Sequence, residues 1–513
     1  MNEASINQQA TKKAVITSLS SDVQTVNEIS EEFSLPDYVP EVRRVLHTDV
    51  SVLPEGKFIS DMGTNTSLDF NGTVTYNVVY TDDEGKLRSV PLSSAYEGKA
   101  MLPEGVDTVF IDTGVDSISC RVNAPRRLTV KTRLKSRILS FTDGEITENI
   151  HPRSASDEIY LERRTKHINT VCLKPVFMQN IRISDKLDTR EGATLTPIMC
   201  DAKALITECK ARTGVIAVRG NVSVRCLCND GENDIMLTKS LPMYEELEAE
   251  GALPTDLVRC ASRCVSLSVS NEQNTDTSRL FFDVTCEIEG EFYRNEENTV
   301  TADCYSTKYE TEATYKDIST YSLVSAKSFS FPVSDKFKRK EGAIEEIVEI
   351  MWDTVPDKIE YKNNKAIFTG KVALAVIGKT KESEGKSAEY LCESYEVPFT
   401  WEEACPSDDC VARISYDTAL RDARYENDKF CVDMEIYPSL MLLEKSKEEI
   451  LDAAEIHKDK EYVTDSACVR VFFPKDCDIL WEVAKKYHTS QRKIVEDNGL
   501  DAYSLENVKS III

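Results

Sequence analysis

The residues best suited to chemistry in this chain are its cysteines, because thiolates at short spacing are ligands that structural zinc prefers. The chain has 16 cysteines; one residue separates Cys226 from Cys228, and three separate Cys260 from Cys264. Two such pairs would complete a four-sulfur site if the fold brought them together. The alternating pattern around Cys226 and Cys228 instead predicts a strand whose buried face carries both side chains. We therefore interpret them as core residues and predict no metal ligands.

A further pair, Cys405 and Cys410, lies in a polar stretch that predicts exposure. Exposed thiols oxidise first, so these two are the better candidates for oxidation. We nevertheless interpret them as inert thiols, and most other cysteines as small core residues of a protein kept reduced. Oxidative cross-linking in a later extracellular assembly stays open.

Motifs for nucleophilic or phosphate chemistry are missing from the sequence. It contains no Gly-x-Ser-x-Gly, and Gly385-Lys386-Ser387 resembles the end of a phosphate-binding loop that has Thr380 where a glycine is required. The acidic pairs Glu245-Glu246 and Glu402-Glu403 are adjacent along the chain rather than facing, which is typical of solvated edges. The sequence therefore predicts a non-enzymatic protein with no cofactor. The histidines are scattered: His47, His151, His167, His457 and His488.

Composition narrows the class of partner. The formal charge is −26 over 513 residues and is spread along the chain, which argues against nucleic acid, since phosphate binding needs a clustered cationic face. This length predicts several domains. The first residues lack the pattern of a signal peptide, and no stretch approaches the ~18 apolar residues of a membrane span. We expect a protein retained in a cytosol.

A repeat near 150 residues organises most of the chain. Ser184-Asp185-Lys186 recurs as Ser334-Asp335-Lys336, and Glu191-Gly192-Ala193 recurs at the same offset as Glu341-Gly342-Ala343. Independently, the Gly-x-Val segment at Gly220 recurs 150 residues later at Gly370. A more distant copy begins at Gly72, 148 residues before Gly220. Matches at one offset indicate internal duplication.

Each copy carries the period-two pattern of half-buried strands after its glycine. One face reads Val74, Tyr76, Val78, Tyr80; the next copy has Val222, Val224, Cys226, Cys228; the third has Val372, Leu374, Val376, Gly378. A polar turn and a second apolar segment follow each time, which predicts a hairpin. Further alternating segments close each copy, which favours a β-sandwich or an open barrel, and the pattern does not decide between them.

The last 45 residues have a different pattern, which predicts strand, helix, helix, strand. Asp478 is a favourable helix N-cap, a second helix is expected to begin near Thr489 or Ser490, and Asn498-Gly499 is a helix stop signal. Tyr487 lies on the apolar stripe of the first helix and is interpreted as core. Trp481 lies off that stripe, and its role stays open between packing and partner contact.

This C-terminal pattern resembles a LysM domain. The segments Asp478-Ile-Leu-Trp-Glu-Val-Ala-Lys-Lys-Tyr487 and Ile494-x-x-x-Asn498-Gly-Leu500 match the family pattern in order and spacing, while Cys477 and Ile479 replace the usual glycine and hydroxyl residue. In the family, the loops corresponding to 475–480 and 498–503 form a sugar-binding groove. An isoleucine at position 479 suits a protein partner better than a sugar. The resemblance implies these groove positions: Asp478, Ile479, Leu480, Trp481, Asn498, Gly499 and Leu500.

The upstream copies, with Leu35-Pro-Asp-Tyr-Val-Pro-Glu-Val and the Gly-x-Val-x-Val hairpins, resemble the SPOCS domain (DUF3794) of sporulation proteins. SPOCS units followed by LysM are typical of clostridial spore-coat morphogenetic proteins. The resemblance implies a scaffold in the mother-cell cytoplasm, at the forespore surface and in the spore coat, whose LysM domain docks onto the coat ATPase SpoIVA and which recruits or stabilises other coat proteins. The alternative is a peptidoglycan-binding wall or cortex protein.

The predicted fold is therefore multidomain and mainly β, with three tandem SPOCS-type modules and a small α+β LysM domain of βααβ order. The charged segment 444–460 is helix-prone and predicts a linker. The predicted boundaries are 1–30 for an N-terminal segment, 31–160, 161–310 and 311–443 for the modules, 444–465 for the linker and 466–513 for the LysM domain.

Overall fold

Alternating apolar residues place most of this chain in long antiparallel strands. The computed structural model describes residues 14–61, 66–146, 149–150, 160–187, 195–274, 277–338, 344–381, 388–463, 470–475, 478–500, 502–506 and 508–513. The repeated motifs at 191–193 and 341–343 lie outside these residues. The prediction of a mainly β chain with several sheets is confirmed.

The first pair of sheets is built from six strands. They are β1 (Ala14–Ser34), β2 (Arg44–Asp61), β3 (Thr66–Thr81), β4 (Leu87–Leu102), β5 (Thr108–Ala124) and β6 (Arg127–Ile146). Strands β2-β3-β4 form a meander, and β1-β6-β5 form the facing sheet, so that the first strand pairs with the last. A two-residue strand, β7 (Asn149–Ile150), follows.

The second pair repeats this strand order. Its strands are β8 (Leu161–Leu187), β9 (Thr196–Arg212), β10 (Val215–Asn229), β11 (Asp234–Glu248), β12 (Leu257–Asn274) and β13 (Thr277–Ser306). Strands β9-β10-β11 form the meander, and β8-β13-β12 form the facing sheet.

In the third pair the first strand is interrupted at residues 329–330. Its strands are β14 (Tyr309–Ser328), β15 (Phe331–Lys338), β16 (Ile344–Lys362), β17 (Lys365–Thr380), β18 (Tyr390–Ala404), β19 (Cys410–Glu426) and β20 (Lys429–Glu461). Strands β16-β17-β18 form the meander, while β14, β15 and β19 all pair with β20. The short β7 pairs with β20 in parallel.

Each sheet pair encloses a hydrophobic cluster of its own, which is the arrangement of a sandwich. The inward positions of the meanders supply each cluster, including Tyr76, Val224 and Leu374. A further apolar cluster joins the three pairs; it contains Phe141, Tyr293 and Met441, one from the last strand of each. The sheet pairs therefore share buried surface as well as a chain.

A bulge opposite the repeated glycine recurs in all three meanders. Extra residues in β2, β9 and β16 interrupt the register beside Gly72, Gly220 and Gly370. A Cβ atom at Gly72 or Gly220 would overlap the carbonyl oxygen of Leu53 or Leu205, and one at Gly370 would lie 3.0 Å from the carbonyl oxygen of Val355. Glycine is needed here because the bulged backbone approaches too closely for a side chain. The recurrence of a glycine at this position in each copy thus has a steric cause.

The segment 444–460 is strand, so its prediction as a helix-prone linker is wrong. It forms the second half of β20 and pairs with β14. Ile450 and Ile456 are buried there, while the charged side chains form ion pairs with other strands, among them Lys166 with Glu448 at 2.6 Å. Tertiary pairing overrides the helical propensity of the charged residues. Residues 14–30, expected in a separate N-terminal segment, likewise belong to β1.

A buried ion network connects the three sheet pairs. Arg413 of β19 is 3% exposed; it donates to Asp112 of β5 at 2.8 and 3.0 Å and to Glu291 of β13 at 2.8 Å. Arg259 of β12 donates to the other oxygen of Glu291 at 2.9 Å. Burial alone would raise the pKa of Asp112, but the Arg413 guanidinium holds that pKa below its usual value. One side chain of the third pair therefore binds the first and the second.

The C-terminal domain (470–513) has two short strands and two helices. They are β21 (Val471–Phe472), α1 (Leu480–Lys486), α2 (Gln491–Asn498) and β22 (Ile511–Ile512), with β21 and β22 antiparallel. Ser490 caps α2 by accepting from the Lys493 amide, and Gly499 ends it with φ 61°, as expected. No described helix is long and apolar enough to cross a membrane.

The N-cap of α1 differs from the prediction. Ile479 occupies the cap position and provides no side-chain hydrogen bond. Asp478 instead closes a turn, where its carboxylate accepts from the Lys475 amide at 2.8 Å. Because Asp478 lies one residue before the cap position and its carboxylate is used in this turn, it does not cap α1.

We predict that Gly220→Ala lowers the free energy of unfolding by about 1–3 kcal/mol, because the new Cβ must displace the backbone of β9. Calorimetric melting measures this change. Gly114→Ala is the matched control, since a Cβ at that strand position meets nothing within 4 Å. Equal melting of the two variants would contradict the steric role of Gly220.

We predict that Arg413→Met destabilises the chain by about 1–3 kcal/mol, because the buried Glu291 carboxylate keeps only Arg259 as a partner and the half-buried Asp112 carboxylate loses Arg413. Denaturant unfolding measures the loss. Arg421→Met, on the same strand with 58% of its side chain exposed, is the control and should change little. A small effect at both positions would show that the network does not hold the sheet pairs together.

Candidate functional site

The predicted groove residues of the C-terminal domain divide into exposed and buried ones. Ile479 is 56% exposed and lies just before α1, so it is available to a partner. Leu480 and Trp481 are 1% and 2% exposed, which takes their side chains off any surface that a partner could contact. The open question about Trp481 is thus answered by burial in this structure.

The other predicted positions shape the loop after α2. The Asn498 amide donates to the carbonyls of Ile494 and Ile512, and its oxygen accepts from the Ile512 amide at 2.6 Å. These bonds tie α2 to β22, so the side chain supports the loop rather than being free for a ligand. Gly499 provides the left-handed turn, and Leu500 is half-buried against the domain core. Tyr503, in the same loop, is 61% exposed and was missed as a candidate.

The outer face of the β21–β22 ribbon is apolar. Val471 lies opposite Ile512 in register, so their side chains share one face. Phe473 follows directly after β21, and we call these three residues the ribbon face. These three side chains are 53%, 47% and 69% exposed, respectively. Together with Ile479 and Tyr503, they make the C-terminal domain rich in exposed apolar side chains, which mark interaction surfaces when they are contiguous.

Trp481 is buried against the body of the protein, in a group of four residues that we call the seat: Arg164, Asp303, Tyr305 and Tyr315. Its indole N–H donates to Asp303 at 2.7 Å, and its ring meets Tyr305 edge-on with centroids 4.9 Å apart. The Arg164 guanidinium lies 5.6 Å from the centre of the Trp481 ring. The seat therefore fixes α1 to the start of β8 and the end of β13, and Tyr315 of β14 donates to the same Asp303 carboxylate at 2.6 Å.

A second candidate region is a cavity of about 480 Å³ where the three sheet pairs meet. Strands β2, β9, β10 and β16 each place a charged side chain on its wall, among them Asp49, Asp201, Lys203 and Glu349. Lys203 donates to the Trp352 carbonyl at 2.9 Å, and its ammonium lies 4.5 Å from the Trp352 ring centre. The cavity is a shared polar junction rather than an apolar ligand pocket.

Burial controls the protonation of this junction. It raises the pKa of Glu349 to about 7, although the Arg225 guanidinium opposes that rise. Burial also raises the pKa of Asp49, where Lys203 opposes the rise and Asp201 adds to it. The charged forms of these carboxylates are therefore unfavourable at the junction of the sheet pairs.

Among the cysteines that the structure describes, two pairs are joined as disulfides, Cys200 with Cys226 and Cys405 with Cys410. Cys405 and Cys410 are 1% and 7% exposed, so their expected exposure is wrong. The polar residues between them form the turn, while the two cysteines close it toward the core. Their interpretation as inert free thiols is corrected accordingly.

Cys226 and Cys228 are fully buried in the second sandwich, as their interpretation as core residues predicts, but the expectation of a reduced thiol is wrong for Cys226, which is bonded to Cys200. Within the described ranges, no group of three or more histidine, cysteine, aspartate or glutamate side chains is arranged to hold a metal ion. His151, Cys477 and the segment 385–387 lie outside those ranges, so the structure does not test what was inferred for them.

Comparisons with protein-family models, with curated proteins and with solved structures gave no match to this chain.

We predict that Glu349 contributes a loss of stability as pH rises from about 5 to 8, and that Glu349→Gln removes this contribution. The pKa of Glu349 is about 7 in the folded state against an ordinary value of 4.5, so the folded state keeps a proton that the unfolded chain loses in this window. Stability from this group is complete below pH 4.5 and is lost as pH rises through 7.

Melting temperatures measured from pH 5 to 8 test this sign. Glu346→Gln, an exposed position on the same strand, is the control and should preserve the slope of the wild type. An identical slope for Glu349→Gln and the wild type would contradict the assignment of the proton to Glu349.

Proposed function

We propose that this chain is a non-enzymatic scaffold of the spore coat, with three SPOCS-type modules as its body and a LysM-type domain as its docking element. The observation that carries the proposal is the threefold recurrence of one strand order with one glycine-facing bulge, followed by a small domain of different architecture. Duplicated β modules supply repeated surface for assembly, and a separate domain supplies one specific contact.

The order β21-α1-α2-β22 supports the LysM-type assignment, because it is the order that the resemblance implies. The residues that match the family pattern perform compatible local roles: Gly499 ends α2 and Asn498 ties it to β22. The layout as a whole resembles that of the clostridial spore-coat protein SipL. On that resemblance, the chain acts at the forespore surface in the mother-cell cytoplasm and recruits or stabilises coat layers.

The proposed partner of the C-terminal domain is the coat ATPase SpoIVA. Ile479 is the groove residue with the largest exposed apolar side chain, and the ribbon face of Val471, Phe473 and Ile512 adds further apolar area on the same domain. Apolar anchors ringed by polar side chains are the usual energetic centre of a protein interface. A sugar would instead need hydrogen-bonding groups, and the Asn498 amide is already bonded within the domain.

The alternative is a peptidoglycan-binding wall or cortex protein. The exposed ring of Tyr503, in the loop after α2, is the observation that favours it, because aromatic faces stack on sugars. Specific retention of the full chain on purified peptidoglycan, lost on Tyr503→Ala, would support this function over docking on SpoIVA.

We predict that Ile479→Asp reduces co-purification of SpoIVA at least several-fold, because it places a charge at the centre of the proposed contact. Val463→Asp is the matched control: it puts the same charge on a residue that is 93% exposed and lies before the domain. Retention of SpoIVA by Ile479→Asp at the level of the control would count against this surface. Trp481→Ala is unsuitable for this test, since it removes a buried contact of the seat.

A further inference from the structure

The carboxylate of Asp303 is the point at which the C-terminal domain and the body share hydrogen bonds. Its two oxygens accept from the Trp481 indole at 2.7 Å, from the Lys485 ammonium at 2.8 Å and from the Tyr315 hydroxyl at 2.6 Å. Trp481 and Lys485 belong to α1, and Tyr315 belongs to β14. Asp303 itself is 4% exposed, so water does not substitute readily for these donors.

Contacts around Asp303 fix the direction of the domain as well as its attachment. Trp481 is held edge-on by Tyr305, whose hydroxyl donates to the Thr489 carbonyl, just before α2, at 2.7 Å. Arg164 of β8 pairs with Glu482 of α1 at 3.4 Å. Strands β8 and β13 therefore contact the first helix, and Tyr305 of β13 also holds the connection to the second, which leaves little freedom to rotate.

The charge of Asp303 is maintained by the same partners. Burial would raise the pKa of this carboxyl, but the Lys485, Tyr315 and Trp481 hydrogen bonds hold the pKa below its ordinary value. A charged acceptor strengthens each of the bonds that cross the interface. Removing the carboxylate would leave the Trp481 N–H buried without an acceptor, which weakens the seat from the domain side as well.

We propose that Asp303 is a positioning residue, which holds the C-terminal domain in one orientation so that Ile479 and the ribbon face point away from the body toward a partner. The docking part of this inference rests on the proposed function, whereas the fixed orientation does not. The domain is then a rigid extension of the body, and a partner bound to it would be placed in a defined relation to all three sandwiches.

The test is Asp303→Ala in the full chain, labelled with ¹³C at the isoleucine δ1 methyl groups. Ile494 and Ile511 are buried in the C-terminal domain, and Ile436 is buried in the third sandwich. In the wild type all three methyl signals should have the linewidth of one large particle. In the variant the Ile494 and Ile511 signals should sharpen several-fold, because the domain tumbles independently, while the Ile436 signal stays broad.

Asp317→Ala is the matched control, because Asp317 is exposed on β14 and outside the seat. Broad Ile494 and Ile511 signals in Asp303→Ala, as in this control, would overturn the inference. If Asp303→Ala unfolds the domain, the Ile494 and Ile511 methyl signals will move to the chemical shifts of unfolded isoleucine. In that case Lys485→Met serves as the second variant, since it removes one donor and leaves Asp303 and Trp481 paired. Sharpened domain signals in that variant support the inference, and unchanged ones oppose it.

Capture of SpoIVA separates positioning from simple attachment. Asp303→Ala should weaken SpoIVA binding several-fold although Ile479 and the ribbon face are intact. Sharpened domain signals with undiminished SpoIVA binding would overturn the positioning role. If the wild type binds no SpoIVA, the proposed function fails, and the linewidths still decide whether Asp303 fixes the domain.

Discussion

The structure depends on the buried guanidinium of Arg413, which binds carboxylates of two other sheet pairs at once. Three sandwiches joined only by short connections would be free to move as separate domains. The ion network and the apolar cluster around Phe141, Tyr293 and Met441 bury the surfaces between them instead. Because a buried charge without its partner is costly, the network favours one arrangement of the sandwiches over others.

Sequence divergence between the copies made this network possible. Asp112, Arg259 and Arg413 lie on the fifth strand of the first, second and third sandwich, opposite Arg137, Glu291 and Met441. Identical copies would place three like charges together, whereas here one position carries an aspartate and two carry arginines, and Glu291 accepts hydrogen bonds from both arginines. The alternation of apolar residues predicted the strands and the repeated glycines predicted the shared hairpin. The pairing of these charges could not be predicted from the sequence, because an isolated charged residue in a strand is normally interpreted as facing solvent.

The candidate site was predictable to the extent that local patterns determine it. Ser490 and Gly499 bound the second helix as their types require, since capping depends on residues close in sequence. The burial of Trp481 was not predictable, because the residues that cover it, Tyr305 and Asp303, lie far away along the chain. The same limit explains the error at 444–460, where pairing with β14 decides the conformation of a segment whose composition favours a helix.

Strand β20 gives the protein a mechanical property as well as a fold. It runs from Lys429 in the third sandwich to Glu461, a few residues before the C-terminal domain. A pull on that domain along the strand axis acts on the hydrogen bonds to β14 in shear, so that many bonds must yield together rather than one after another. A load applied to the C-terminal domain would thus pass into the body along one continuous strand as well as through the seat.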